Sequence, residues 1–167
     1  SLGGLPALGK GFGGNGDVIG YWACRDTDAD YSKGPPCHGR FVVPGMSPDI
    51  MLTSLGINGI DDLPLPRALR HRLKQDVLLV AMGTDAANGT ARWENGRLRL
   101  HYNAAANPVL SRIAGTLDHL SRLTRRPVYF PRQLPVTVHP LGGARVDKNP
   151  SSGVIDGQGE VHGHAGL

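Results

Sequence analysis

Two short runs joined by Asn95-Gly96 constrain the fold of this chain more than any other local feature. Thr90 to Glu94 and Arg97 to Tyr102 flank the pair, and Asn-Gly favours the type I′ turn whose twist suits antiparallel strands. The second run alternates apolar and basic side chains: Leu98, Leu100 and Tyr102 on one side, Arg97, Arg99 and His101 on the other. The alternation predicts an antiparallel sheet whose leucine side is buried and whose arginine side, with His101, faces water.

One long helix is predicted after the hairpin. Asn107 is in position to cap its start, and Pro108 suits a first helical turn. Its apolar residues recur at spacings of three and four: Val109, Leu110, Ile113, Leu117, Leu120 and Leu123. Such a stripe is typical of a helix that covers a sheet with one face. The helix is expected to end at Arg125 and Arg126, before Pro127.

The remaining elements are short and are separated by turns. Among 167 residues, 24 glycines and 13 prolines are far above the usual share, which favours turns over long helices. Apolar runs predict strands at 17–23, 40–44, 49–53, 76–82 and 128–130, and residues 67–75 predict a short helix. These elements predict an α+β fold, in which an antiparallel or mixed β-sheet is covered on one side by a few helices.

The stretch from Pro135 to Ala144 carries the strongest indication of chemistry. Val136 to Val138 predicts a strand that Pro140 ends, because proline has no N–H for a ladder, so His139 would lie at a strand end. Gly142-Gly143 permits positive φ and a close approach of the backbone to a flat ligand or to another chain. A histidine beside bare backbone suits acid–base catalysis. A strand and a tight turn with a chance histidine is the alternative.

The glycine-rich first 16 residues contain two near matches to phosphate-binding motifs. Gly9, Gly11 and Gly14 fit G-x-G-x-x-G, but the run leads into a predicted strand where the motif opens a helix. Gly4, Gly9 and Lys10 fit G-x-x-x-x-G-K, but Gly11 takes the place of the Ser or Thr that holds magnesium. We therefore reject both motifs and expect a glycine loop whose backbone could lie against a ligand.

Composition and charge disfavour two kinds of partner. The net charge is +4 and the pI about 9.4, yet the basic residues are scattered and aromatic residues make up only 5%. A nucleic-acid surface combines clustered Lys and Arg with stacking rings, so we expect no nucleic-acid partner and interpret the basic residues between Arg67 and Lys74 as a solvated helix face. Because no apolar run approaches 18 residues, we expect no membrane span.

The two cysteines, Cys24 and Cys37, are too few for a disulfide scaffold. They could pair with each other or remain free thiols of an intracellular protein; we expect a cytoplasmic protein and leave secretion open. No C-x-x-C spacing supports zinc beside His38. The alternate aspartates of residues 26–30 lack the glycine and glutamate of a calcium loop and predict an acidic surface loop. We therefore expect no metal site.

Several motifs together resemble one known family. They are His139-Pro140-Leu141-Gly142-Gly143, Asn149-Pro150, Gly153-Val154-Ile155-Asp156, Gly159-Glu160-Val161 and Gly163-His164-Ala165-Gly166-Leu167. This combination resembles the C-terminal signature of the glucose-methanol-choline (GMC) flavoprotein oxidoreductases, particularly the cholesterol-oxidase-like branch. The opening Leu8 to Asp17 is similar to the segment with which that branch leaves its flavin domain. The Asn95-Gly96 hairpin and the Asn107-Pro108 helix follow in the family's order.

The resemblance implies an FAD enzyme that oxidises an alcohol by hydride transfer to the flavin. His139 would be the catalytic base or the hydrogen-bond partner of the substrate hydroxyl. Gly142, Gly143, Asn15 and Gly16 would contact the cofactor. The substrate domain of this family is an antiparallel sheet with helices on one side, which agrees with the fold predicted above.

The resemblance also implies that the chain corresponds to part of a family member. Residues 1–16 would be a linker from an FAD-binding domain of the same polypeptide, 17–138 the substrate-binding domain, and 139–167 the start of a flavin-proximal segment. The substrate would be a bulky, apolar, sterol-like alcohol, and the chain alone would be inactive and would not retain FAD. Val42 to Ile50 offers Asp49 but no glutamate for isomerisation, and Ala144 replaces a frequent cysteine. The alternative is a non-enzymatic module whose sheet cradles an apolar ligand.

Overall fold

The computed structural model describes residues 4–26, 28–132 and 136–167. Within these ranges the chain forms two sheets of antiparallel strands and two α-helices. The predicted α+β fold is therefore confirmed. The strands are β1 (Lys10–Phe12), β2 (Val18–Trp22), β3 (Cys37–Phe41), β4 (Ile50–Leu55), β5 (Val77–Gly83), β6 (Gly89–Glu94), β7 (Arg97–His101) and β8 (Val128–Tyr129). The helices are α1 (Arg67–Lys74) and α2 (Pro108–Thr124). None of the helices in these ranges is long and apolar enough to cross a membrane.

The larger sheet has the strand order β3-β4-β5-β2-β8, and α2 covers one of its faces. The register places Val18, Ala81 and Leu52 side by side on the covered face, because antiparallel partners share a side of the sheet. The predicted stripe of α2 packs on them through its buried members: Val109, Ile113, Leu117 and Leu120. Leu123, in the last turn, is exposed. The apolar central run predicted from the sequence is β5.

Asn107 stands directly before α2 but does not cap it through its side chain. Its Oδ1 accepts a hydrogen bond from Ala86 N–H at 2.8 Å, and its Nδ2 donates to the Asn103 carbonyl at 2.7 Å. The prediction that the Asn107 side chain caps α2 is therefore wrong, because this side chain bonds to the two loops instead. The buried amide ties the loop after β5 to the loop before α2, because it satisfies backbone groups of both loops.

The smaller sheet has the order β1-β6-β7 and contains the predicted hairpin. Asn95 and Gly96 have φ values of 50° and 75°, as the type I′ turn requires. The predicted burial of the leucine side is wrong, because Leu98 and Leu100 are 60% and 52% exposed. The covering helix packs on the other sheet and leaves this side open. The glycine-rich start, assigned above to a linker, contributes β1.

Residues 136–138 do not form the predicted strand. Two N–H groups of this stretch, those of Val138 and His139, are donated to the carboxylate of Asp17, so they are unavailable to a ladder. Pro135, at the start of the stretch, lies outside the described residues. Nearer the C-terminus, isolated bridges connect Ile155 with Val146 and with Val161, and Val161 with His164.

Candidate active site

A tight turn positions the residue on which the candidate site depends. Asn15 and Gly16 have φ values of 54° and 59°, and Asp17 N–H donates to the Gly14 carbonyl at 3.0 Å. Asn-Gly accommodates two successive positive φ values better than other pairs. A Cβ on Gly16 would lie 2.6 Å from the carbonyl oxygen of Gly83, so the turn packs directly on the end of β5. The turn delivers Asp17 to the start of β2.

The side chain of Asp17 is fully buried and holds the stretch 137–139 in place. Its Oδ2 accepts hydrogen bonds from Val138 N–H at 2.9 Å, His139 N–H at 3.2 Å and the Thr137 hydroxyl at 3.1 Å. The same oxygen lies 2.9 Å from Nδ1 of His139. A buried carboxylate needs several donors to offset its lost hydration, and this stretch supplies them.

His139 is consequently held in one orientation. Because Asp17 accepts the hydrogen bond, the Nδ1 atom carries a proton, and the second nitrogen, Nε2, is the free one. Within the described residues no hydrogen bond reaches Nε2, and the side chain is 48% exposed. The imidazole can therefore accept a proton at Nε2 from a bound molecule, while the carboxylate stabilises the positive charge that results.

Gly142 and Gly143 continue the loop after His139 and pair with the start of the chain. Leu141 N–H donates to the Gly13 carbonyl at 3.0 Å, and Gly9 N–H donates to the Gly143 carbonyl at 2.7 Å. Gly142 and Gly143 have φ values of 79° and 83°, as the sequence predicted for this pair. A Cβ on Gly142 would overlap the carbonyl oxygen of Gly11, whereas one on Gly143 would meet nothing within 4 Å.

The structure thus brings the five residues predicted for the site into one region. Asn15 Nδ2 donates to Asp17 Oδ1 at 3.4 Å, which connects the turn to the histidine. At Gly142 and Gly16 a side chain would collide with the backbone of Gly11 and Gly83, so packing within the chain explains these two glycines. Gly143 differs from these two glycines, because a Cβ there would meet nothing within 4 Å, which leaves room for a cofactor.

Asp85 is a second carboxylate that the sequence did not single out. Its Oδ2 accepts hydrogen bonds from Gly14 N–H at 2.7 Å and from the Tyr102 hydroxyl at 3.0 Å. Burial and this hydrogen bond raise the pKa of Tyr102. Asp17 and Asp85 therefore hold the glycine turn from its two sides. Asp17 was not distinguished either, since its one local signal, the Asn-Gly turn before it, predicts a conformation but no distant partner.

The face of the larger sheet opposite α2 is apolar and partly open. Ile19, Leu78 and Met82 lie on this face and are half-buried, and Met51 of β4 is exposed. Val80, which lies between Leu78 and Met82 and opposite Ile19, is buried. Asp17 precedes β2 in the same alternation as Ile19, so its partner His139 lies at one border of this face.

Asp76, which is buried like Asp17, lies near the opposite end of β2. Asp76 accepts hydrogen bonds from the Tyr21 hydroxyl and from Arg25 N–H, the latter at 2.8 Å, and Arg72 Nε lies 3.4 Å away. Burial, helped by Asp76, raises the pKa of Tyr21 to about 12. Asp17 and Tyr21 are four positions apart, which in a strand is about 13 Å.

Neither cysteine takes part in this region. Both are free thiols; Cys24 donates to the Gln75 carbonyl at 3.0 Å, and Cys37 lies 2.9 Å from the Thr53 hydroxyl. Burial raises the pKa of the Cys24 thiol. Among the residues that the structure describes, no three His, Cys, Asp or Glu side chains are grouped to hold a metal ion.

No protein-family model matches the chain, and no curated protein is significantly similar to it. Its function is therefore inferred from the site itself.

Proposed function

We propose that this chain is the substrate-binding portion of an FAD-dependent GMC oxidoreductase that oxidises a bulky apolar alcohol, with His139 as the proton acceptor. The observation that carries the proposal is the contact between buried Asp17 and His139 Nδ1, which leaves Nε2 free to accept a proton. Oxidation of an alcohol requires a base for the hydroxyl proton, and an oriented imidazole meets this requirement.

Only one loop of this chain fits a flavin ring. Gly143, open on its Cα side, and His139 lie on the same exposed loop, where a planar ring could approach. Gly9 to Gly14 leads into a turn and β2, so these glycines do not form the dinucleotide cradle of a strand-to-helix turn. We therefore assign to this chain contacts with the flavin ring edge and assign the rest of FAD to another domain of the polypeptide.

The roles of the residues follow from their positions. An apolar alcohol would lie along Ile19, Leu78 and Met82, where its burial removes hydrocarbon surface from water. Its hydroxyl would donate a hydrogen bond to His139 Nε2 and lose the proton to it as the alcohol is oxidised. Asp17 would stabilise the imidazolium so formed. Bound flavin would supply the acceptor for the hydride leaving the same carbon.

The complete polypeptide that carries this sequence provides the decisive test. We expect the purified protein to show the visible absorption bands of oxidised flavin and to bleach when a sterol-like alcohol is added without oxygen. A purified protein that shows no flavin bands, even after incubation with FAD, would exclude the proposal. Flavin that stays oxidised with every apolar alcohol tried would remove the proposed substrate class.

A non-enzymatic module that binds an apolar ligand is the second candidate. The partly open face of Ile19, Leu78, Met82 and Met51 favours it, because such a face can hold a ligand without any chemistry at His139. This candidate predicts that a fluorescent sterol analogue binds the chain and that His139→Gln leaves the binding unchanged. The enzyme proposal differs in predicting turnover that the same substitution abolishes.

A further inference from the structure

The β6–β7 hairpin presents an apolar face that increases in exposure toward its tip. Antiparallel pairing puts Trp93 beside Leu98 and Ala91 beside Leu100 on one side. Leu100 is 52% exposed, Leu98 60% and Trp93 74%. We call these four residues the hairpin apolar face. Trp and Leu side chains side by side on an exposed strand pair are uncommon in a monomer surface and indicate a surface that binds something.

The root of the hairpin is fixed to the body of the protein. Phe12 of β1 packs edge-on against Tyr102, with ring centroids 6.4 Å apart, and the Tyr102 hydroxyl donates to Asp85. Lys10 of β1 pairs with Thr90, so β6 lies between two strands. An isolated hairpin is marginally stable in water, but this one has a third strand and an anchored base. The apolar face is therefore held in a defined orientation.

The opposite side of the hairpin is basic, with three arginines and one glutamate. Arg92 lies directly opposite Arg99 across the strand pair, and Arg97 lies opposite Glu94. Among the described residues, none of these three arginines forms a salt bridge, and the Glu94 carboxylate lies 3.9 Å from His101. Two arginines opposite each other repel, so the pair is unfavourable unless an anion lies nearby. This charge arrangement points to an anionic partner.

We propose that the hairpin docks the protein onto an anionic membrane surface, independently of the function proposed for His139. Amphipathic elements with Trp and Leu on one side and arginines on the other lie in the plane of the lipid interface. The hairpin apolar face enters the boundary between headgroups and acyl chains, and the long arginine side chains reach the lipid phosphates. The tryptophan ring at the tip suits this interfacial depth.

Two other occupants fit the geometry less well. Single-stranded nucleic acid stacks its bases on aromatic rings beside the basic groove that tracks its backbone, whereas here Trp93 and the arginines occupy opposite sides. A second copy added along the free edge of β7 would bring Arg97 and Arg99 of both copies together, which charged edge strands prevent. The four side chains of the apolar face are also few for a stable dimer, which takes about 20–30 residues a side.

Flotation with lipid vesicles tests the proposal on the complete polypeptide that carries this sequence. We expect it to float with mixed phosphatidylcholine–phosphatidylglycerol vesicles, to remain below with pure phosphatidylcholine vesicles, and to lose binding as salt increases. The double substitution Trp93→Ser and Leu98→Ser is expected to lower the partition constant at least about tenfold. Val42→Ser, which removes another exposed apolar side chain, is the matched control and should change nothing.

The charged side has its own pair of variants. Arg92→Gln with Arg99→Gln should lower the partition constant by about fivefold per arginine. The matched control, Arg122→Gln with Arg126→Gln, removes the same charge near the end of α2. Circular dichroism and thermal unfolding of all variants verify that the fold is retained. Trp93→Phe identifies the tryptophan whose fluorescence brominated lipids quench.

The proposal is overturned by several results. They are failure to float with either vesicle type, equal flotation with neutral and anionic vesicles, and unchanged flotation of the Trp93→Ser, Leu98→Ser variant. If the parent protein is a dimer without lipid and the Trp93→Ser, Leu98→Ser variant is a monomer, the face binds a second copy. If the protein binds single-stranded DNA tightly and does not bind lipid, the face binds nucleic acid. None of these results concerns flavin or turnover, so each is distinguishable from a failure of the proposed function.

Discussion

The carboxylate of Asp17 lies 2.9 Å from Nδ1 of His139, although the two residues are 122 positions apart in the chain. The carboxylate is fully buried, and the imidazole is half-exposed. The contact joins the turn before β2 to the loop that ends in Gly142-Gly143. It defines which nitrogen of the histidine faces a ligand, and the first predictions depend on it.

Asp17→Asn is expected to destabilise the fold by about 2–3 kcal/mol. The amide keeps the size of the side chain but removes the charge that the N–H groups of Val138 and His139 donate to. Urea unfolding at neutral pH measures the change. Asp62→Asn makes the same replacement at an exposed position and should stay within about 0.5 kcal/mol of the parent. Equal stabilities of the two variants would contradict the role assigned to Asp17.

We expect the neutral His139 ring to adopt a single tautomer. Because Asp17 accepts a hydrogen bond from Nδ1, a ¹⁵N NMR spectrum of the neutral imidazole should show Nδ1 protonated and Nε2 bare. The chain has 7 histidines, so His139→Gln identifies the signal. In Asp17→Asn the carboxylate that accepts from Nδ1 is lost, and a mixture of tautomers should appear. A ring already mixed in the parent would mean that the contact does not orient the histidine.

In the FAD enzyme proposed above, His139→Asn should lower turnover by orders of magnitude, because a general base contributes about 10²–10⁴-fold. The side chain is half-exposed, so the melting temperature should change little. Single-turnover reduction of the flavin by the alcohol is the measurement. His162→Asn, a histidine of the C-terminal turns, serves as the control with undiminished rate. Unaltered flavin reduction in His139→Asn would exclude the base role.

Gly142→Ala should be much more damaging than Gly143→Ala, although both glycines have positive φ. Each substitution carries the left-handed backbone penalty of about 1–2 kcal/mol. The new Cβ of Gly142→Ala also overlaps the Gly11 carbonyl, which adds about 1–3 kcal/mol of overpacking, whereas that of Gly143→Ala meets open space. Chemical denaturation of the two variants side by side compares them. The reverse order would mean that the loop does not pack on residues 9–13 as described.

The stability of the chain should fall as the pH rises above 10. The pKa of Tyr21 is about 12 in the folded chain, because burial and Asp76 disfavour the phenolate, against 10.0 for an unperturbed tyrosine. The unfolded state therefore loses its proton first, so the stabilisation is complete below pH 10 and disappears as the pH approaches 12. Tyr31, also near 12, acts in the same direction. Urea unfolding of Tyr21→Phe should show a smaller decline, and an identical decline would refute this assignment.

Local patterns predicted those parts of the fold that depend on neighbours in the sequence. The Asn95-Gly96 turn, the apolar stripe of α2 and the central strand β5 each follow from backbone geometry or from a repeat of two or three to four residues. The positive φ of Gly142 and Gly143 was predictable for the same reason. Turn residues and periodicity act over a few positions, so one sequence suffices to detect them.

The candidate site was predictable only in part. His139 and the glycines around it could be named from the stretch that contains them, but Asp17 and Asp85 could not. A carboxylate becomes a site residue when burial removes it from water and distant donors replace that water, and neither event leaves a periodic trace. The same contact with Asp17 overrode the strand predicted for residues 136–138.

The sequence by itself therefore determined the hairpin, the covering helix, the α+β class and the candidate role of His139 as a site residue. The tertiary structure alone decided which atom of His139 is free, why Gly142 must lack a side chain, and that Leu98 and Leu100 face water. The physical reason is the range of the forces involved. Propensity and alternation are properties of adjacent residues, whereas burial and a buried carboxylate's hydrogen bonds depend on which distant segments the fold brings together.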